Sequence, residues 1–164
     1  MMHWLYSICV WMEQTSTGIA IRDSDWLFPI IETAHIFGIV LMVGATSILD
    51  LRLMGLTLIE EPVGKLARRF LPWAWVGFSM MACTGVLLLS SEATKMFDNL
   101  GFRIKMLLIV VAGINALVFH SIAYQSVGKW ENDRVGPWSA RAAGLISLLL
   151  WFGIVFFGRW IAYL

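Results

Sequence analysis

The stretch Ile30 to Leu53, IIETAHIFGIVLMVGATSILDLRL, restricts the possible folds more than any other part of the chain. It is long and apolar enough to cross a bilayer, whose hydrocarbon core needs about 20 largely apolar residues at about 1.5 Å of rise each. Yet Glu32 and His35 stand near its start, and Asp50 and Arg52 at its end. An ionisable side chain inside a span is costly, so each one marks a candidate functional position. Glu32 and His35 are three residues apart and share one helix face.

The rest of the chain calls for the same solvent. Of its 164 residues 59% are apolar and 14% charged, against about 45–50% and about 25% in soluble proteins, and the mean hydropathy is +0.77. Apolar segments predict spans at about 26–54, 71–90, 102–124 and 140–164, and the length leaves no room for a separate soluble domain. The fold class expected is all-α: one integral-membrane four-helix bundle, residues 1–164, in contact with the lipid bilayer. Ahead of it, residues 3–13 carry Trp4, Leu5, Ile8, Trp11 and Met12 at 3–4 spacing, with His3, Ser7 and Gln14 elsewhere. That is the pattern of an amphipathic helix lying in the membrane interface. Residues 14–25 read as a polar surface loop in which Ser24 or Asp25 caps span one, and residues 91–101 as a short polar linker. Pro72 is expected near the start of span two.

Several functions are excluded. A net charge of +1 with no basic tract gives nothing to track nucleic-acid phosphates. Cys9 and Cys83 are too few for a disulfide framework and read as free thiols. No nucleophile–base pair, phosphate-binding loop or C-x-x-C motif occurs, so hydrolase chemistry has no support. The N-terminus lacks the basic region of a cleavable signal, and span one is expected to serve as the insertion signal.

The polar residues inside the spans carry the functional question. With the middle of span one near Val40 and that of span three near Asn115, His35 lies outward of the midplane and His120 inward, about 15 Å apart in depth. Two axial ligands of one haem sit at similar depth, so the two histidines are poor partners within one chain. Around the depth of His120 stand Ala45, Thr46, Ser47, Gly77 and Ser147, and Gly113 and Ala116 share its face. Small residues allow either tight packing or a slot for a flat cofactor. Asn115 is expected to hydrogen-bond a neighbouring helix. Glu32 has three readings: an ion pair with Arg159 at similar depth, half of an E-x-x-H metal pair, or a hydrogen-bond acceptor tuning a ligating His35. Asp50 and Arg52 are expected to be solvated or snorkelling anchors at the cytoplasmic end of span one. The methionines form no regular array and read as packing. Gly38, Gly44, Gly77, Gly85, Gly153 and Gly158 suggest close helix crossings.

At WLFPIIETAHIFGIVLMVGATSILDLRLMGL, LARRFLPWAWVGF and FRIKMLLIVVAGINALVFH the chain resembles an uncharacterised family of small four-span bacterial inner-membrane proteins. The first-span pattern of Glu32, His35 and Asp50-x-Arg52 is the most specific part of the likeness. More loosely, it is similar to the copper-resistance protein D group and to transmembrane cytochromes b. The resemblance implies a bacterial inner-membrane location and an electron-transfer component holding haem b, with His35 and His120 as ligands to haem iron or copper. Two-haem cytochromes b carry four histidines in two layers, against two intramembrane histidines here. One histidine from each of two chains would complete a site across a homodimer interface. Copper handling through His35, Glu32 and methionines is an alternative, as is an accessory role beside other membrane subunits.

Of the basic residues, seven (Arg52, Lys65, Arg68, Arg69, Lys129, Arg134, Arg141) follow spans one and three and five (Arg22, Lys95, Arg103, Lys105, Arg159) lie on the opposite side. The bias places the seven in the cytoplasm and both termini outside. A reporter active only outside the cytoplasm is therefore expected to work when fused at the C-terminus, and a cytoplasm-only reporter to stay silent there.

Overall fold

The computed structural model describes residues 2–122 and 124–163, apart from the side chains of Met2, His3 and Ala162. Leu164 at the expected end of span four, Ala123 within span three, and the His3 side chain, expected off the apolar stripe of the first helix, lie outside what is described. The fold is all-α. Two short helices, α1 (Met2–Glu13) and α2 (Ser16–Arg22), precede the long α3 (Leu27–Leu53) and α4 (Val63–Ser91). After the short α5 (Ala93–Asp98) come α6 (Leu100–Ile122) and α7 (Trp138–Trp160), separated by a 3₁₀ segment at Tyr124–Lys129. α3, α4, α6 and α7 are long and apolar enough to cross a membrane, and the chain is a multi-pass membrane protein with four candidate spans. At 23 residues α6 reaches about 35 Å, enough for a hydrocarbon core of about 30 Å.

The four long helices pack in the order α4–α3–α7–α6, with α3 against both α4 and α7, and α6 chiefly against α7. Lipid supplies no hydrophobic drive for helices to meet, so close contact depends on small side chains. A Cβ on Gly77 of α4 would stand 2.6 Å from the Met42 amide nitrogen and 2.8 Å from the Gly38 carbonyl oxygen of α3. A Cβ on Gly144 of α7 would stand 2.8 Å from the Asp50 carbonyl oxygen. These are the crossings that hold α3 on its two sides. Gly44, by contrast, faces open space and marks no crossing. α6 sits at one edge, and Leu107, Val110, Ile114 and Leu117 are exposed along it.

Helix ends follow from local chemistry. The N-cap position of α3 falls on Trp26 rather than on Ser24 or Asp25, although Ser24 Oγ accepts from the Leu27 amide at 3.2 Å. α3 stops at Gly55, whose φ of 75° opens a left-handed turn. There the Leu56 amide donates to the Leu51 carbonyl and the Gly55 amide to the Arg52 carbonyl, both at 3.0 Å, the double closure of a Schellman motif. Asn99 receives the Phe102 amide at 3.0 Å and donates to the Ile161 carbonyl at 3.1 Å, tying the start of α6 to the end of α7.

Three expectations of the sequence are corrected. Residues 16–22 are helical rather than loop, because Thr15 Oγ1 caps the Gly18 amide at 3.1 Å and Ile21 is buried. Gly18 permits this: a Cβ there would lie 2.6 Å from the Ser90 carbonyl oxygen. The linker before α6 contains α5, whose Thr94 amide and hydroxyl both donate to Glu13 Oε1 at 2.8 Å. α4 begins at Val63 rather than Leu71, so Pro72 is inside it. Its first amide, that of Val63, donates to the Glu131 carbonyl at 3.1 Å.

Gly77→Ala is expected to force α3 and α4 apart and to cost about 1–3 kcal/mol. Gly113→Ala, where a Cβ meets nothing within 4 Å, is expected to leave stability unchanged or slightly raised. Thermal unfolding of the two variants in the same detergent checks the contrast.

Candidate functional site

His35 projects from α3 towards α4, half-buried, and its Nδ1 lies 2.8 Å from Thr84 Oγ1. A threonine hydroxyl has one hydrogen to give. Thr84 gives it to the Met80 carbonyl one turn back, at 2.6 Å. Oγ1 is therefore an acceptor towards His35, and the proton of the neutral ring sits on Nδ1. Nε2 then keeps its lone pair, the arrangement in which an imidazole serves as a metal ligand or base. Gly85 leaves the Cε1 edge of the ring clear; a Cβ there would come within 3.4 Å.

Lys105 of α6 lies within electrostatic reach of this ring. Its stem runs past Gly158 of α7, where a Cβ would stand 3.5 Å from Nζ and 3.7 Å from Cδ and Cε. Among the described residues the ammonium has no hydrogen-bond or ion-pair partner. One helix pair thus brings an imidazole and the other an unpaired ammonium to the end of the bundle that carries the termini. Neither Thr84 nor Lys105 is flagged by any spacing pattern in the sequence.

The other predicted residues scatter. Glu32 is exposed, and no ion pair joins it to Arg159. Arg159 Nη2 donates instead to Tyr163 Oη at 3.3 Å, four residues on in the 3₁₀ segment that follows α7, with the guanidinium 5.5 Å from the ring centre. Nor does Glu32 hold the His35 N–H, which Thr84 takes. Asn115 Nδ2 donates to the Ala143 carbonyl of α7 at 3.1 Å, the interhelical bond expected of it. His120 is exposed at the far end of α6 and stacks on Tyr124, with centroids 5.3 Å apart and planes at 20°. The small residues expected around it are dispersed: Ala116 is exposed and Gly113 open because α6 is at the edge, while Gly77 packs on α3 and Ser147 meets Asp50. Among the described residues no three His, Cys, Asp or Glu side chains converge as a metal site.

Asp50 and Arg52 require the largest correction. Expected at the solvated end of a span, they are 7% and 1% exposed. Arg52 Nε donates to the Glu61 carbonyl at 2.9 Å, and Nη2 to the carbonyls of Asp133 at 3.0 Å and Glu131 at 3.4 Å. One guanidinium thereby fastens the α3–α4 loop to the α6–α7 loop. Leu53, Val63, Trp130 and Ala140 form the buried apolar cluster at this loop end, with Phe119 and Val127 against it. Asp50 turns to the other side and meets Ser147 of α7. Asp50 Oδ2 and Arg52 Nη1 are buried without a hydrogen-bond partner among the described residues. Bonds from Arg52 to loop carbonyls so far along the chain, and a contact from Asp50 to a serine on another helix, leave no trace in residue spacing, which is why both read as surface anchors.

Residues 8–164 match the model of a family described as "Family of unknown function (DUF6644)", and the chain belongs to that family. No curated protein and no solved structure matches it.

Arg52→Ala is expected to free the two loops, take the donor from the Glu61, Glu131 and Asp133 carbonyls and cost about 2 kcal/mol. Arg52→Lys is expected to rescue little, because one ammonium lacks the planar fork that reaches acceptors on two loops. Thermal unfolding, with trypsin cleavage after Lys65 and Lys129 as a local probe, measures both effects.

Proposed function

We propose that this member of DUF6644 is a membrane-embedded electron-transfer component that holds haem b through His35. The observation that carries the reading is the hydrogen bond from His35 to Thr84, with Thr84 committed in turn to the Met80 carbonyl. It orients the ring, fixes the tautomer and leaves Nε2 to donate its lone pair. Such an outer partner raises the basicity of a ligating imidazole and holds its plane. When bound, haem b supplies one-electron chemistry, and the protein tunes it through the axial ligand, hydrogen bonding and burial. Lys105 offers an unpaired ammonium in reach of the same site, suited to a carboxylate on the ligand. His120, stacked on Tyr124 at the other end, is a poor second ligand. One chain thus supplies one axial nitrogen, and a bis-histidine site would need a second copy.

One observation favours a second reading, an accessory subunit of a larger membrane complex. Gly44 and Gly113 face open space inside apolar helices, where small residues suit the close approach of another helix.

The test is an optical spectrum of purified protein, as isolated and after haem addition. The expected result is a Soret band that His35→Ala abolishes and His120→Ala preserves. Thr84→Val is expected to weaken haem retention by about tenfold, with Thr84→Ser restoring it. No Soret band in either preparation overturns the haem reading and leaves the accessory one.

A further inference from the structure

At the loop end of the bundle an apolar groove of about 410 Å³ runs between the close of α3 and the first turns of α7. That volume is within the range of about 300–1,000 Å³ typical of small-ligand sites. Met54 and Leu56 form one wall, and Trp138, Leu145 and Ile146 the other. The turn after α3 creates the first wall: the left-handed Gly55 swings Leu56 outward, where it is 63% exposed. The lining is almost wholly hydrocarbon except for Arg141, whose guanidinium lies 5.6 Å over the Trp138 ring. Unlike Lys65 and Arg134, which pair with Glu61 at 2.8 Å and Glu60 at 3.1 Å, Arg141 has no carboxylate partner among the described residues.

We infer that this groove is a binding site for one anionic phospholipid, with an acyl chain along α7 and the headgroup phosphate at Arg141. The setting suits that occupant. The groove opens at the end of two membrane-spanning helices, where chain and headgroup regions meet, and the tryptophan beside the arginine is of the type that sits at that boundary. An unpaired cation above a hydrocarbon trough is complementary to a charged amphiphile and mismatched to a neutral one. The fold carries its own comparison. A second groove of about 240 Å³, at the opposite end between Trp11, Met12 and Val86, Leu87, is also apolar and tryptophan-edged, but no basic residue lines it. Of these two grooves, the one at Arg141 is the one equipped to select negative charge.

The experiment is native mass spectrometry of the whole protein released from nanodiscs of equal parts phosphatidylglycerol and phosphatidylcholine. The wild type is expected to retain one phosphatidylglycerol about fivefold over phosphatidylcholine, the weight of one basic residue at an anionic surface. Arg141→Gln, a change at an exposed position, is expected to bring the two lipids to parity, and Arg141→Lys to keep the preference. Ala142→Phe, which fills the groove and leaves Arg141 in place, is expected to lose the retained lipid. Equal retention of both lipids by the wild type means adventitious annular lipid only and overturns the site. A preference that survives Arg141→Gln, or displacement by water-soluble glycerol phosphate, overturns the assignment of headgroup or chain respectively.

Discussion

Where no water competes and lipid is as apolar as any side chain, two helices remain together only if their backbones approach closely. α3 meets that condition on two sides, through Gly77 of α4 and through Gly144 of α7. The nearest atoms to both glycines are backbone, with only a Cβ of Met42 or Leu53 beside them, so neither contact has slack to absorb even a methyl group. The rest of the arrangement is hung on these two crossings. α6 is added through α7, with Asn115 bonded to the Ala143 carbonyl and Gly153 making room for Leu108. The result is an open row in which α3 and α7 are central and α4 and α6 are edges.

The two ends of the row are fastened by different chemistry. At the end with the termini, side-chain caps link elements: Glu13 receives the amide and hydroxyl of Thr94, and Asn99 joins α6 to the tail of α7. At the other end a single buried guanidinium gathers carbonyls from two loops. Taking that charge out of water is expensive, and charge-assisted bonds to carbonyls offset part of the cost. The candidate ligand site is at the first end. His35 and Lys105 belong to helices that make little direct contact, so the separation between imidazole and ammonium is set through α7 and the capping contacts.

Much of this was legible in the sequence, and what was not has a common cause. Long apolar runs, the glycines at Gly38 and Gly77, and the interhelical role of Asn115 all follow from spacing and composition. Depth counting also separated His35 from His120. What residue spacing could not supply was rotation about the helix axis. Gly113, Ala116 and His120 share a face, but whether that face meets a neighbour depends on where α6 packs, and it is at the edge. Glu32 and Arg159 match in depth and differ in direction. A charge near a span end usually finds water; for Arg52 only the three-dimensional path of two distant loops brings carbonyls to it instead, and for Asp50 only the packing of α7 brings Ser147 to it. Thr84 was missed for the same reason: its hydroxyl matters only because α4 passes His35 at that height.

The burial of Arg52 also carries information about time. Its nearest acceptor, the Glu61 carbonyl, is made nine residues later, but those of Glu131 and Asp133 follow 79 and 81 residues after it. A chain that has delivered only α3 and α4 to the membrane can satisfy one of these bonds. Until the α6–α7 loop emerges, the guanidinium must keep water or lipid headgroups as partners. The α3–α4 hairpin is therefore an unfinished object at its loop end, held open and hydrated by its own arginine, and it seals only when the last helix enters.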